Sequence, residues 1–107
     1  QVITNLVKNA FDAMPKGGKL DIIIDDNETD VIFKIKDTGT GISPDDLDKI
    51  FEPFYTTKGI GKGTGLGLAT AYGIVKMHKG KISVESNNDP AKGETGTSFI
   101  LTLPRFQ

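Results

Sequence analysis

Glycines at positions 59, 61, 63, 65 and 67 alternate into the start of a helical pattern, with Lys58 and Lys62 beside them. Alternating glycine removes every second side chain and lets the main chain approach a ligand closely. A helix start adds unpaired N–H groups and the positive end of the peptide dipoles. Together these features suit a polyphosphate, although the same glycines also fit a surface loop ahead of an ordinary helix. Two common phosphate fingerprints are absent. Lys62 follows Gly61, but the residue five before Gly61 is Thr56, and Gly61-x-Gly63 is followed at the third position by Leu66.

A second cluster is Asp37-Thr38-Gly39-Thr40-Gly41, placed at the end of a strand pattern. A carboxylate there can accept a hydrogen bond from a ligand amine while side-chain-free backbone packs flat against it; taken alone, a turn followed by a helix cap is the better reading. The D-T-G within it is also the aspartic-protease signature, but that chemistry needs an all-β scaffold, and two long helical patterns argue against one. Asn5 and Asn9, four apart, share one helix face with Asp12 beside them. Asn costs roughly half a kcal/mol relative to Ala in a helix. Its neutral carbonyl oxygen suits a Mg²⁺ ion already neutralised by phosphates, while an ordinary solvated helix face accounts for the same two residues without a ligand. His78, the single histidine, lies near a helix end, where a capping or packing role fits it better than chemistry. Phe51, Phe54 and Tyr55 bracket Pro53 as a small apolar anchor.

The elements that must hold these residues follow from periodicity. Residues 1–14 predict an amphipathic helix, with Ile3, Leu6, Val7, Ala10, Phe11 and Met14 on one stripe. Pro15 and Gly17-Gly18 stop it. The chain opens inside this helix without an N-cap, so upstream residues are expected. Residues 19–25 and 31–36 read as two strands of an antiparallel hairpin around a polar turn. Ser43 and Pro44 open a short helix, favoured by Asp45 and Asp46 and running to about Ile50-Phe51. Residues 53–64 have no period and are expected to be mobile. Residues 65–79 predict a second long helix ended by Lys79-Gly80, and 81–87 and 97–103 two further strands. This order predicts an α/β two-layer sandwich, a mixed and mostly antiparallel sheet with helices on one face.

Composition narrows the chemistry. With 107 residues the chain fits one domain, able to bury roughly two-thirds of its unfolded surface. The charge sum is 13 − 14 = −1, which argues against nucleic acid or an anionic membrane as the main partner. No Cys is present, which excludes disulfides, thiolate metal sites and cysteine nucleophiles, and one His excludes a multi-histidine zinc site. No apolar run approaches the ~18 residues of a membrane span.

Taken together these residues resemble the ATP-binding catalytic domain of sensor histidine kinases. N-L-V-K-N-A at 5–10 resembles that family's asparagine box, and D-T-G-T-G-I at 37–42 its first glycine box. F-E-P-F-Y-T-T-K at 51–58 resembles the phenylalanine box, G-T-G-L-G-L at 63–68 the second glycine box, and G-T-S-F at 96–99 the motif on the last strand. The motifs occur in family order over nearly the whole chain, and the F-x-P-F-Y-T-T-K form is most similar to the nitrogen-regulation and oxygen-sensing branch.

The resemblance implies a Bergerat-type ATP fold over residues 1–107, truncated at its N-terminal end, with a flexible ATP lid at about 53–64. It implies ATP and Mg²⁺ as cofactors, Asn9 as metal ligand, and Asn5 and Lys58 at the transferring phosphate. Asp37 would receive the adenine amino group, helped by Gly41 and, through water, by Thr97. Gly39, Ile42, Phe54, Gly63, Thr64, Gly65, Leu66, Gly67 and Leu68 complete the implied nucleotide contacts. The acceptor would be a histidine on a separate dimerisation domain, then an Asp on a response regulator, in a cytoplasmic setting without nucleic-acid or direct membrane contact.

Related gyrase, mismatch-repair and chaperone ATPases carry a Glu one turn before the magnesium Asn, able to activate water. Asn5 stands there instead, so slow hydrolysis and transfer to an acceptor are expected. A degenerate regulatory nucleotide-binding module and an ATP-hydrolysing relative are the alternatives. There are departures too. The family usually carries a further strand and helix ahead of the asparagine box, and many members have a basic residue and a Tyr where Asp12 and Ala13 stand. The second departure predicts modest affinity.

Overall fold

A computed structural model describes residues 2–52 and 67–105 of the chain. Helix α1 (Val2–Asp12) buries Leu6 and Ala10. Strands β1 (Leu20–Asp26) and β2 (Asp30–Asp37) form the expected hairpin, in register from Leu20 opposite Asp37 to Asp26 opposite Val31. Its turn is closed by Asn27, whose Oδ1 accepts from the N–H of Thr29 at 2.9 Å and of Asp30 at 2.8 Å. Helices α2 (Pro44–Leu47) and α3 (Gly67–Met77) follow, then β3 (Lys81–Asn87), a 3-10 turn (Pro90–Lys92) and β4 (Gly96–Pro104).

The strands form one sheet in the order β1-β2-β4-β3, and all its pairings among the described residues are antiparallel. Register fixes which residues share a face, because side chains alternate along each strand. Ile35, Phe99 and Val84 lie abreast across β2, β4 and β3, as do Phe33, Leu101 and Ile82. Leu6 of α1, Val75 of α3 and Ile50 close over this face to make the core. Helices therefore cover one face, the expected two-layer arrangement. Leu6 and Leu101 are fully buried, so truncating either to Ala costs about 2–5 kcal/mol.

Two expectations need correction. Phe11 belongs to the apolar stripe by spacing, yet it is 61% exposed. Ile22 and Ile24, on the helix-facing side of β1, are also 48% and 64% exposed. Among the described residues the helix layer thus stops short of β1. The short helix α2 ends at Leu47 rather than near Ile50, with Asp48 as its C-cap. An acidic residue at the negative end of a helix does not favour continuation. The chain goes on in tighter turns, Lys49 N to Asp46 O at 2.9 Å and Glu52 N to Lys49 O at 3.0 Å.

Helix α3 ends as Lys79-Gly80 predicts, by a Schellman motif. Lys79 N donates to Lys76 O at 3.0 Å and Gly80 N to Val75 O at 2.9 Å, with Lys79 at φ 61°. No helix among the described residues is long and apolar enough to cross a membrane.

Candidate functional site

The core rows of the sheet end in a polar row. Asp37, Thr97 and Ser86 lie abreast on β2, β4 and β3, on the same face as Ile35, Phe99 and Val84. Asp37 and Thr97 are each only 4% exposed. Asp37 Oδ1 accepts from the N–H of Gly39 at 2.9 Å and of Thr97 at 3.2 Å. One carboxylate oxygen is thus held by main chain, which leaves Oδ2 to meet a ligand. Ser86 Oγ lies 2.7 Å from Ile42 N, 2.9 Å from Gly96 O and 2.8 Å from Thr97 Oγ1.

The loop after Asp37 is fastened at both ends. Thr40 N donates to Ala13 O at 3.1 Å, and a Cβ on Gly39 would collide with the same Ala13 carbonyl. Gly41 has φ 80° and lies against the carbonyl of Asn87. These two glycines are therefore required by close backbone approach within the chain itself.

Helix α1 joins this loop to a second cluster. Asn5 Nδ2 donates to Gly67 O at 3.2 Å, at the first turn of α3. Asn9 is one turn further along the same face, half-buried. Ala13, at the Gly39 end, is eight residues from Asn5, about 12 Å of helix rise. An acidic, hydrogen-bonded end and an amide-bearing end are thus set along one helix. The amide oxygen of Asn9 is a hard neutral donor, which fits Mg²⁺ carried by phosphate oxygens. Among the described residues no three His, Cys, Asp or Glu side chains are placed to hold a metal ion without such help.

The structure thus brings Asp37, Gly39, Gly41, Ile42 and Thr97 together at one end of α1, and Asn5 and Gly67 at the other. Leu68 packs its side chain against the core. Phe54, Lys58, Gly63, Thr64, Gly65 and Leu66, with the expected lid at 53–64, lie outside the described residues. Phe51 lies near Tyr72, centroids 5.3 Å apart, and meets Phe99 edge-on at 6.5 Å; Tyr55, like Phe54 a further member of the expected anchor, lies outside the described residues. Sequence reasoning missed Ser86. The available signal was a polar residue at an inward position of a strand, continuing Ile82 and Val84.

Comparison with known proteins gives a consistent result. The model of the family described as histidine kinase-, DNA gyrase B- and HSP90-like ATPases matches residues 1–107. The sensor kinase CckA of Brucella abortus is 46% identical over 121 aligned positions, covering 99% of this chain and 12% of that protein. A solved catalytic domain of the histidine kinase ThkA superposes with a TM-score of 0.82 at 39% identity, over 98% of this chain and 64% of that one. Full-length ShkA, solved in complex with AMPPNP, gives 0.80 at 27% identity, over 96% of this chain and 20% of that one. The chain thus spans about an eighth of the sensor kinase it matches.

Proposed function

Because this chain belongs to the family of histidine kinase-, DNA gyrase B- and HSP90-like ATPases, we propose that it is the catalytic module of a two-component sensor kinase. In this reading it binds Mg²⁺·ATP along α1 and donates the γ-phosphoryl group to a histidine on a separate dimerisation domain of the parent protein. A response regulator then takes the group on an Asp, and the module works on the cytoplasmic side, where ATP is supplied.

The observation that carries the reading is the buried Asp37, held by the N–H groups of Gly39 and Thr97 and set one helix length from Asn5 and the start of α3. Asp37 Oδ2 takes the adenine amino group, with Thr97 and the Gly41 backbone completing the base contacts. The first turn of α3 at Gly67 offers N–H groups to phosphate oxygens, and in this reading Gly63, Gly65 and Leu66 are further nucleotide contacts. Lys58 contacts the γ-phosphate. Asn9 would hold Mg²⁺, which when bound would neutralise phosphate charge.

An imidazole nitrogen of the acceptor forms the new P–N bond as the bond from γ-phosphorus to the bridging oxygen breaks, and ADP leaves. Positioning and charge neutralisation dominate such transfers. Asn5 has no proton-accepting group of useful basicity, so water is not activated from its position.

The test is a γ-phosphate-labelling assay with the histidine-bearing domain of the parent protein supplied. Acid-labile label on histidine is expected. Binding of ATP without label would favour a regulatory nucleotide-binding module. Steady phosphate release by this chain alone would favour a hydrolase.

A further inference from the structure

The geometry points to Ser86 as a positioning residue that fixes the direction of the Thr97 hydroxyl and so makes the base pocket select an amino over an oxo group. This inference rests on the nucleotide reading of the Asp37 site. A serine hydroxyl has one proton to give and two lone pairs to offer. Around Ser86 Oγ, the N–H of Ile42 at 2.7 Å can only donate, and the carbonyl of Gly96 at 2.9 Å can only accept. The Ser86 proton therefore goes to Gly96 O, and one lone pair to Ile42 N–H. The remaining lone pair is met at 2.8 Å by Thr97 Oγ1, which must then be the donor.

With its proton turned to Ser86, the buried Thr97 hydroxyl offers only lone pairs to a ligand. Its neighbour in the same row, Asp37, is a carboxylate whose Oδ1 is already held by backbone N–H groups. Two adjacent acceptors welcome an amine and repel a carbonyl oxygen. A water that bridged Thr97 to the base would be fixed in the same sense. It would give one proton to Thr97 and keep the other for a ring nitrogen, which is unprotonated in adenine and protonated in hypoxanthine. The discrimination is thus of 6-aminopurine from 6-oxopurine nucleotides. Ser86 acts through Thr97 and does not touch the base.

The experiment is calorimetric titration of this chain with ATP and with ITP. For Ser86→Ala the Thr97 hydroxyl is released and can turn to donate. The ATP-to-ITP affinity ratio should then fall about tenfold, equivalent to one hydrogen bond of about 1.4 kcal/mol. Ser86→Thr, which keeps the hydroxyl, should restore the ratio. If Ser86→Ala does not fold, Ser86→Cys fills the space with only a weak donor and acceptor and should lower the same ratio. A purely structural role would weaken both nucleotides by one factor, and an unchanged ratio in the folded variant overturns the inference while leaving the site reading intact. Absence of ATP binding by the unmodified chain would overturn both.

Discussion

The two ends of α1 are built differently. At the Asp37 end, side chains on three strands are fastened to main chain, the buried Asp37 by Gly39 and Thr97, and the half-buried Ser86 by Ile42 and Gly96. At the Asn5 end, a half-buried amide meets Gly67 O at 3.2 Å beside the opening turn of a helix. In the first, the sheet register sets donors and acceptors before any ligand arrives. The second offers neutral amides and peptide dipoles, and its charge balance is completed by what binds there. On the proposed function, selectivity would belong to the sheet end and phosphate affinity to the helix end, a division that separate measurements can break.

The largest effect is expected from Asp37→Asn. The new amide can still accept from Gly39 N and Thr97 N, so the fold should survive, while a charged acceptor toward the base is lost. ATP affinity should fall about ten- to a hundredfold, the range of a charge-assisted hydrogen bond, and preference over ITP should shrink with it. Calorimetry reads both, and unaltered selectivity would erase the distinction between the two ends. Asn9→Ala should act at the other end only. Its expected loss is about tenfold, seen with Mg²⁺ and absent when the metal is chelated, with the ATP-to-ITP ratio untouched. Equal loss with and without Mg²⁺ would remove Asn9 from the metal.

The smallest effect lies outside both ends and serves as the control. Lys79 occupies a left-handed conformation at φ 61°, which costs a side-chain-bearing residue about 1–2 kcal/mol. Glycine there is free of that strain but adds about 0.4–1 kcal/mol of unfolded-chain entropy. Lys79→Gly should therefore raise stability by about 0.5 kcal/mol in urea unfolding and leave both nucleotide affinities as they were. A change in either affinity would mean that global stability, and not local geometry, distinguishes the ends.

Much of this molecule is local in the sequence. The 3.6-residue stripe through Leu6 and Ala10 specifies α1, alternation specifies β2 through β4, and Asn5 with Asn9 must share a helix face at four-residue spacing. The motif Asp37 to Gly41 is a contiguous loop and is legible as such. The extent of α2 was not, because Asp48 sits where the helix dipole turns against it. The exposure of Phe11 was not either, because spacing tells which side chains share a stripe and not how wide a surface will cover them.

The chain's own pattern determined the elements, their order and the residue types able to hold a purine and a polyphosphate, since helix and strand periods and turn chemistry act over a few residues. Only the tertiary structure decided that Asp37, Thr97 and Ser86 stand in one row, although Asp37 and Thr97 are 60 residues apart. Strand order and register set that row, and they are settled by which faces bury together. The orientation of a single hydroxyl follows from the register, because hydrogen-bond valence can be counted only once the neighbours are in place.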